Sequence, residues 1–137
     1  MVDEQRFVRR AKAACARAVR AVAPRRDVVV ALVDDAVIRK LHEEFLGQAG
    51  ATDVITFRHG EIVVSAETAA REARRRGHPA LHELLLYVVH GALHLQGHDD
   101  TRPKDRDRMR AAERRALQRL GLGDVFAGGR GRRSAAV

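Results

Sequence analysis

One segment constrains the fold more than any other: residues 80–95 read ALHELLLYVVHGALHL. The segment is long enough for about four turns of helix, and apolar residues lie on nearly every side of that helix. Such a helix is stable in water only when other elements cover it. The segment therefore predicts a central, buried helix with the rest of the chain packed around it.

The flanking segments have the periodicities of helices and strands. Helices are predicted over residues 4–22, from Asp34 or Asp35 to about residue 46, over 66–76 with Ser65 as N-cap and Gly77 as terminator, and from Pro103 to about 120. Strands are predicted at 27–33, 52–57 and 61–64, and the last two should form an antiparallel hairpin. The β-branched run DVVVALV at 27–33 is typical of a strand buried on both faces.

The length of 137 residues suits one domain, predicted over residues 1–126. Residues 127–137 have no apolar pattern and are predicted to form a disordered basic tail. We find no signal peptide and no apolar run of membrane-spanning length. A single cysteine, Cys15, cannot form an internal disulfide, so a cytoplasmic protein is the simplest expectation.

The formal net charge of +8 favours contact with polyanions such as RNA. Nearly all of the positive charge is arginine, however, and Arg130, Arg132 and Arg133 lie in the predicted tail. A coding bias toward arginine explains the charge equally well. Charge alone therefore does not decide whether the chain binds nucleic acid.

Two histidines on the apolar helix predict a metal site. His90 and His94 are four residues apart, so they share one face and can reach one tetrahedral zinc ion. Gly97 permits a left-handed turn after the helix, and the long zinc-protease spacing then places the third ligand at Asp100. We favour Asp100 and keep His98 as the alternative third ligand.

The residue after the first histidine limits the chemistry. Zinc proteases have the catalytic glutamate there, whereas this chain has Gly91, which argues against a protease or esterase of that type. A zinc ion with three protein ligands still has an open position for water and can polarise a phosphoryl oxygen. The site therefore suits phosphodiester cleavage at least as well as peptide cleavage.

Three segments together resemble the YbeY family of bacterial endoribonucleases, also called rRNA maturation factors. Residues 90–100, HGALHLQGHDD, are similar to the family pattern H-G-x-L-H-L-x-G-Y-D-H. Residues 52–57, TDVITF, and 60–65, GEIVVS, are similar to two further family motifs. The resemblance covers about residues 27–121, in the family's order and spacing.

The resemblance implies a single α+β domain with a small mixed β-sheet packed by helices, the central helix bearing the metal-binding histidines. It implies one zinc ion bound by His90, His94 and Asp100. It also implies a cytoplasmic endoribonuclease that acts on single-stranded RNA in rRNA maturation, at the small-subunit rRNA end, and in ribosome quality control. Its partners would be precursor rRNA and ribosomal small-subunit components, with no membrane.

Departures from the family pattern support an alternative, a ribosome-assembly factor with a mainly structural metal. The third ligand is Asp100 where the family usually has histidine, and His98 replaces the motif's tyrosine. Leu46 stands where many members have arginine. The alternative would retain metal binding with little nuclease activity.

The catalytic base is not assigned by sequence. Four residues are candidates: Asp53, Glu61, His98 and Asp99. Glu83 and Tyr87 fall on the same helical face as His90, and we expect them to support the metal ligands through hydrogen bonds.

Overall fold

The computed structural model describes residues 4–46, 53–122 and 135–136, which form five helices and one β-sheet. Helices and strands follow one another in the predicted order. The helices are α1 (Glu4–Val22), α2 (Asp35–Leu46), α3 (Ala66–Arg76), α4 (Ala80–Leu95) and α5 (Pro103–Arg119). The strands are β1 (Val29–Val33), β2 (Val54–Phe57), β3 (Glu61–Ser65) and the two-residue β4 (Ala135–Ala136).

Local sequence signals account for the bounds of α3. Ser65 is the N-cap, and its hydroxyl oxygen accepts a hydrogen bond from the Thr68 amide at 3.1 Å. Gly77 ends the helix in the left-handed conformation (φ +77°), which costs glycine little because it has no Cβ. Both predicted helix ends are confirmed.

The sheet is mixed, as the family resemblance implied. Its strand order is β1-β3-β2-β4, with β1 parallel to β3, β2 antiparallel to β3, and β2 parallel to β4. The hairpin between β2 and β3 closes at Gly60 (φ +115°), whose amide donates to the Phe57 carbonyl at 2.9 Å. The α+β fold class is therefore confirmed.

Helix α4 lies at the centre of the molecule. Helices α1, α3 and α5 pack around it, and the sheet face that carries Val54, Ile62 and Val64 closes the same core. The opposite sheet face carries Ile55 and Val63 and is covered by α2. Eleven consecutive residues of α4, 83–93, are buried, which confirms the predicted central helix.

The prediction for β1 is wrong in one respect. The run of β-branched residues suggested a strand buried on both faces, yet Val29 is 62% exposed and the rest of β1 is half-buried. The reason is position in the sheet: β1 is an edge strand that pairs with β3 alone among the described residues. The run of β-branched residues indicates a strand, but it does not distinguish an edge strand from a central one.

Several sequence predictions concern residues outside the described part of the chain. These residues are Thr52, where the second strand was predicted to start, the side chain of Leu46, and most of the predicted tail over 127–137. The disorder of that tail and the domain boundary at 126 therefore stay predictions. Ala135–Ala136 of that tail form β4. No described helix combines the length and apolar character needed to cross a membrane.

Candidate metal centre

The two histidines lie on one face of α4, near its C-terminal end. His90 is buried and His94 is half-buried on the next turn. The helix ends as predicted at Gly97 (φ +98°), where the His98 amide donates back to the Leu93 carbonyl at 3.0 Å. The chain thereby turns across the end of α4 and brings Asp100 to the histidines.

Three potential ligand atoms converge at this point. His90 Nε2 lies 3.2 Å from His94 Nε2. Asp100 Oδ2 lies 3.4 Å from His90 Nε2 and 3.6 Å from His94 Nε2. A tetrahedral ion with bonds of about 2.0–2.1 Å separates its ligand atoms by about 3.3–3.4 Å. The spacing of the three atoms therefore fits one such ion, and these residues form a cluster that could hold it.

Contacts at the other ring nitrogens fix the tautomers of both histidines. His90 Nδ1 lies 2.5 Å from the Glu113 carboxylate, and His94 Nδ1 lies 3.1 Å from the His98 carbonyl oxygen. Because both oxygens only accept, each Nδ1 carries the proton and donates it. Each Nε2 is left with a lone pair directed at the cluster, as a metal ligand requires.

The environment of His94 favours its neutral form. Burial lowers the pKa of His94, and the neighbouring His90 lowers it further. A neutral imidazole is the form that binds a metal ion. The ring is therefore ready to bind near neutral pH.

Asp99 stabilises the loop that carries Asp100. Its carboxylate accepts hydrogen bonds from the Asp100 amide at 2.7 Å and from the Thr101 amide and hydroxyl at 3.2 and 3.0 Å. The Thr101 hydroxyl above all holds the pKa of Asp99 below its usual value. Asp99 thus stabilises the conformation of the loop. Its carboxylate is not one of the converging ligand atoms.

The other candidate residues do not join the cluster in the described part of the chain. The cluster contains Asp100 and leaves out the His98 imidazole. Asp53 is buried just before β2, where its main-chain carbonyl accepts from the Ser65 amide. Glu61 lies 3.8 Å from His59 beside the groove on the opposite sheet face. The structure therefore assigns none of them as the general base.

The supporting glutamate is Glu113, which sequence reasoning missed. Glu83 was expected in that role, but it contacts His78 at 2.7 Å and Arg76 at 3.6 Å instead. Within the described residues, the Tyr87 hydroxyl makes no hydrogen bond to either cluster histidine. A signal for Glu113 was present: it is four residues after Met109 and therefore falls on the inward stripe of α5.

Gly91 allows α4 to approach the sheet closely. A Cβ added there would lie 2.8 Å from Ile62 Cγ2 and 2.9 Å from Thr56 Oγ1. The position that carries glutamate in zinc proteases thus faces the sheet and has no space for a side chain. The structure explains in this way why the protease glutamate is absent.

Exposed cations follow the cluster along α5. The helix begins three residues after Asp100. Five exposed basic side chains lie here, one on the residue before the helix and four in its first two turns. They are Arg102, Lys104, Arg106, Arg108 and Arg110. Arg102 forms an ion pair with Asp105 at 2.9 Å. The basic residues of α3 are largely paired as well: Arg71 with Asp35, Arg75 with Glu72, and Arg76 with Glu72 and Glu83.

The chain is similar to known proteins over most of its length. The family model for Endoribonuclease YbeY matches residues 1–121. An Endoribonuclease YbeY of Rhodopirellula baltica is 43% identical over 122 residues, covering 82% of this chain and 63% of that protein. One of Chelativorans is 38% identical over 130 residues, covering 81% and 80%. One of Myxococcus xanthus is 36% identical over 109 residues, covering 70% of this chain and 37% of that protein.

The chain spans less than two thirds of the length of the Rhodopirellula and Myxococcus relatives. A solved structure is also similar, the solution structure of a Thermotoga maritima protein. It has a TM-score of 0.55 at 23% identity and covers 95% of this chain and 96% of that one, which supports the fold.

Fold and site together define a single-domain α+β protein with a three-residue cluster suited to one metal ion. The family match covers strands β1 to β3, the central helix and all three cluster residues. The chain belongs to the YbeY endoribonuclease family.

Proposed function

We propose that this chain is a zinc-dependent endoribonuclease that cleaves single-stranded RNA in rRNA maturation. Its substrate would be the end of the precursor of small-subunit rRNA, and it would also serve ribosome quality control in the cytoplasm. Membership of the endoribonuclease family supports the reaction class. The convergence of His90 Nε2, His94 Nε2 and Asp100 Oδ2 within 3.2–3.6 Å carries the proposal.

The geometry of the cluster supports a catalytic ion. Three protein ligands leave a fourth tetrahedral position open, and Asp100 is 31% exposed, so the cluster is accessible from solvent. When bound, a zinc ion would polarise a phosphoryl oxygen and lower the pKa of a water molecule to about 7. The chain's own residues hold the ligands in place: Glu113 and the His98 carbonyl orient the two rings, and Asp99 shapes the loop.

The surroundings favour RNA over a peptide as the substrate. Gly91 removes the glutamate that peptide hydrolysis would need at that position, and the sheet leaves no space for it. The exposed cations at the start of α5 follow directly after Asp100 and suit a phosphate backbone. Aromatic residues are only 4% of the chain, so electrostatic contacts would dominate over base stacking.

The first experiment measures metal content by elemental analysis of the purified protein. We expect about one zinc per chain, as for a single three-ligand site, and its loss in His94→Ala and in Asp100→Ala. His98→Ala is the matched control, since it removes an imidazole from the same loop outside the cluster. If Asp100→Ala kept its metal and His98→Ala lost it, His98 would be the third ligand.

RNA cleavage by the same proteins then tests the reaction. Wild type and His98→Ala should cleave single-stranded RNA, and the two metal-free variants should not. A wild type that holds zinc and binds RNA without cleaving it would favour the assembly factor, for which the carboxylate ligand Asp100 is the supporting observation. A wild type without metal even after zinc is supplied would overturn the proposal.

A further inference from the structure

The contact between α4 and α5 is unusual because it buries a carboxylate among apolar side chains. Glu113 is 3% exposed and lies on the α5 face that also carries Met109, Ala112, Ala116 and Leu117. An apolar residue would fill such an interface without the cost of removing a charge from water. The stability of the helix pair therefore does not explain a glutamate at this position. A contact that requires the negative charge would explain it.

One such contact is with His90. Glu113 Oε2 lies 2.5 Å from His90 Nδ1, on the side of the ring opposite the nitrogen that faces His94 and Asp100. A carboxylate that accepts from Nδ1 fixes the tautomer and orientation of a histidine and increases the electron density on its other nitrogen. The cluster's second histidine gets its orientation from the His98 main chain, which no side-chain substitution removes.

We propose that Glu113 is a positioning residue that raises the affinity of the cluster for its metal ion while lying outside the set of ligand atoms. The inference rests on the proposed metal site at His90, His94 and Asp100. Its consequence is that α5 is part of the metal centre: the helix must dock on α4 for His90 to be held in its binding orientation.

The chain offers a matched control on α4, the helix that carries His90. Glu83 is also buried (0% exposed) and also contacts a histidine, His78, at 2.7 Å. It lies seven residues before His90, about 10 Å along the helix axis at about 1.5 Å per residue. Glu83→Gln therefore removes a buried carboxylate from a histidine pair without touching the cluster.

The test compares Zn²⁺ affinities, measured by competition with a chromophoric chelator, in wild type, Glu113→Gln and Glu83→Gln. We expect Glu113→Gln to bind Zn²⁺ about 10- to 100-fold more weakly, the usual effect of losing such a partner. Glu83→Gln should bind as wild type does. Equal affinities for wild type and Glu113→Gln, or equal losses in both variants, would overturn the inference.

A second variant and a second measurement separate positioning from folding. Glu113→Met removes the acceptor but keeps the volume and an apolar interface, so the apo protein should stay folded by circular dichroism. Nitrogen-15 NMR of its His90 ring should show the Nδ1–H tautomer of wild type giving way to a mixture, and Zn²⁺ affinity should fall at least as far as in Glu113→Gln. An unchanged tautomer and affinity would contradict the inference. A wild type that binds no Zn²⁺ would instead show that the proposed metal function has failed.

Discussion

The absence of a side chain at Gly91 allows α4 to approach the sheet closely, and it also removes the glutamate that zinc proteases have at this position. Gly91 lies next to His90 on α4, on the side that meets β2 and β3. Glycine in the middle of a helix is unfavourable by about 0.5–1 kcal/mol relative to alanine. Its presence here is explained by the close approach of Thr56 and Ile62, which places the buried helix against the sheet.

Gly91→Ala tests this explanation because two effects of opposite sign compete. The helical preference of alanine would stabilise the protein, whereas the added Cβ at 2.8 Å from Ile62 Cγ2 forces two stiff β-branched side chains to move. We expect the clash to dominate and the free energy of unfolding to fall by about 1–3 kcal/mol, measured by denaturant titration.

A double-mutant cycle supplies the control for this prediction. Ile62→Ala removes the nearest atom, so Gly91→Ala should cost less in that background than in wild type. If Gly91→Ala proved stabilising on its own, the close approach would not be the reason for the glycine.

At the scale of elements, one carboxylate joins the N-termini of α2 and α3. Asp35 accepts hydrogen bonds from the Ser65 and Thr68 hydroxyls and forms an ion pair with Arg71 at 2.6 Å. In return, Glu67 of α3 accepts from the Asp35 amide at 2.8 Å. These contacts fix the direction in which α3 leaves β3.

The same contacts predict a pH dependence of stability. Burial by itself would raise the pKa of Asp35, but hydrogen bonds from Ser65, Arg71 and Thr68 hold it below the ordinary value of 3.8. The stabilising contribution of the carboxylate is therefore complete above pH 3.8 and is lost as the pH falls through the lower folded-state pKa. Asp35→Asn should lower the free energy of unfolding at pH 7 by about 1–3 kcal/mol.

Urea titrations from pH 7 to pH 2 would measure this difference. The gap between wild type and Asp35→Asn should close at the acidic end. Asp34→Asn is the matched control: Asp34 Oδ1 accepts from the Val37 amide, and asparagine caps a helix as well as aspartate does. A gap that stays constant down to pH 2 would show that Asp35 acts through packing alone.

At the scale of the whole molecule, the hydrophobic core is built from apolar side chains that lie outside the three-residue cluster. Helix α4 is covered by α1, α3, α5 and the sheet, and the cluster lies at one end of it, where His94 is already half-buried. Small zinc domains that lack such a core unfold when the metal is removed. Here the buried apolar surface gives a separate source of stability.

Removal of the metal with EDTA is therefore expected to abolish RNA cleavage and leave the chain folded. The free energy of unfolding should fall only by the binding contribution, about 4 kcal/mol when zinc is at a thousand times its Kd. Circular dichroism and thermal unfolding with and without EDTA measure this, and His94→Ala is the control that should not respond. Global unfolding on chelation would support a mainly structural metal.

The sequence by itself determined the helices and strands that local pattern encodes, and it identified the three candidate ligands that the structure brings together. The bounds of α1, α3 and α4 follow from apolar periodicity and from caps such as Ser65 and Gly77. The pairing of His90 with His94 follows from helix geometry, and the turn at Gly97 makes Asp100 reachable. These features depend on residues only a few positions apart, so a pattern is sufficient to predict them.

Only the tertiary structure decided which distant residues meet. It placed β1 at the edge of the sheet and paired Glu83 with His78 and Arg76. It also brought Glu113 into contact with His90, 23 residues away in the sequence. It also showed that the sheet leaves no space beside Gly91. Burial and pairing of a charged residue depend on which helix faces lie together in space, and local periodicity does not contain that information.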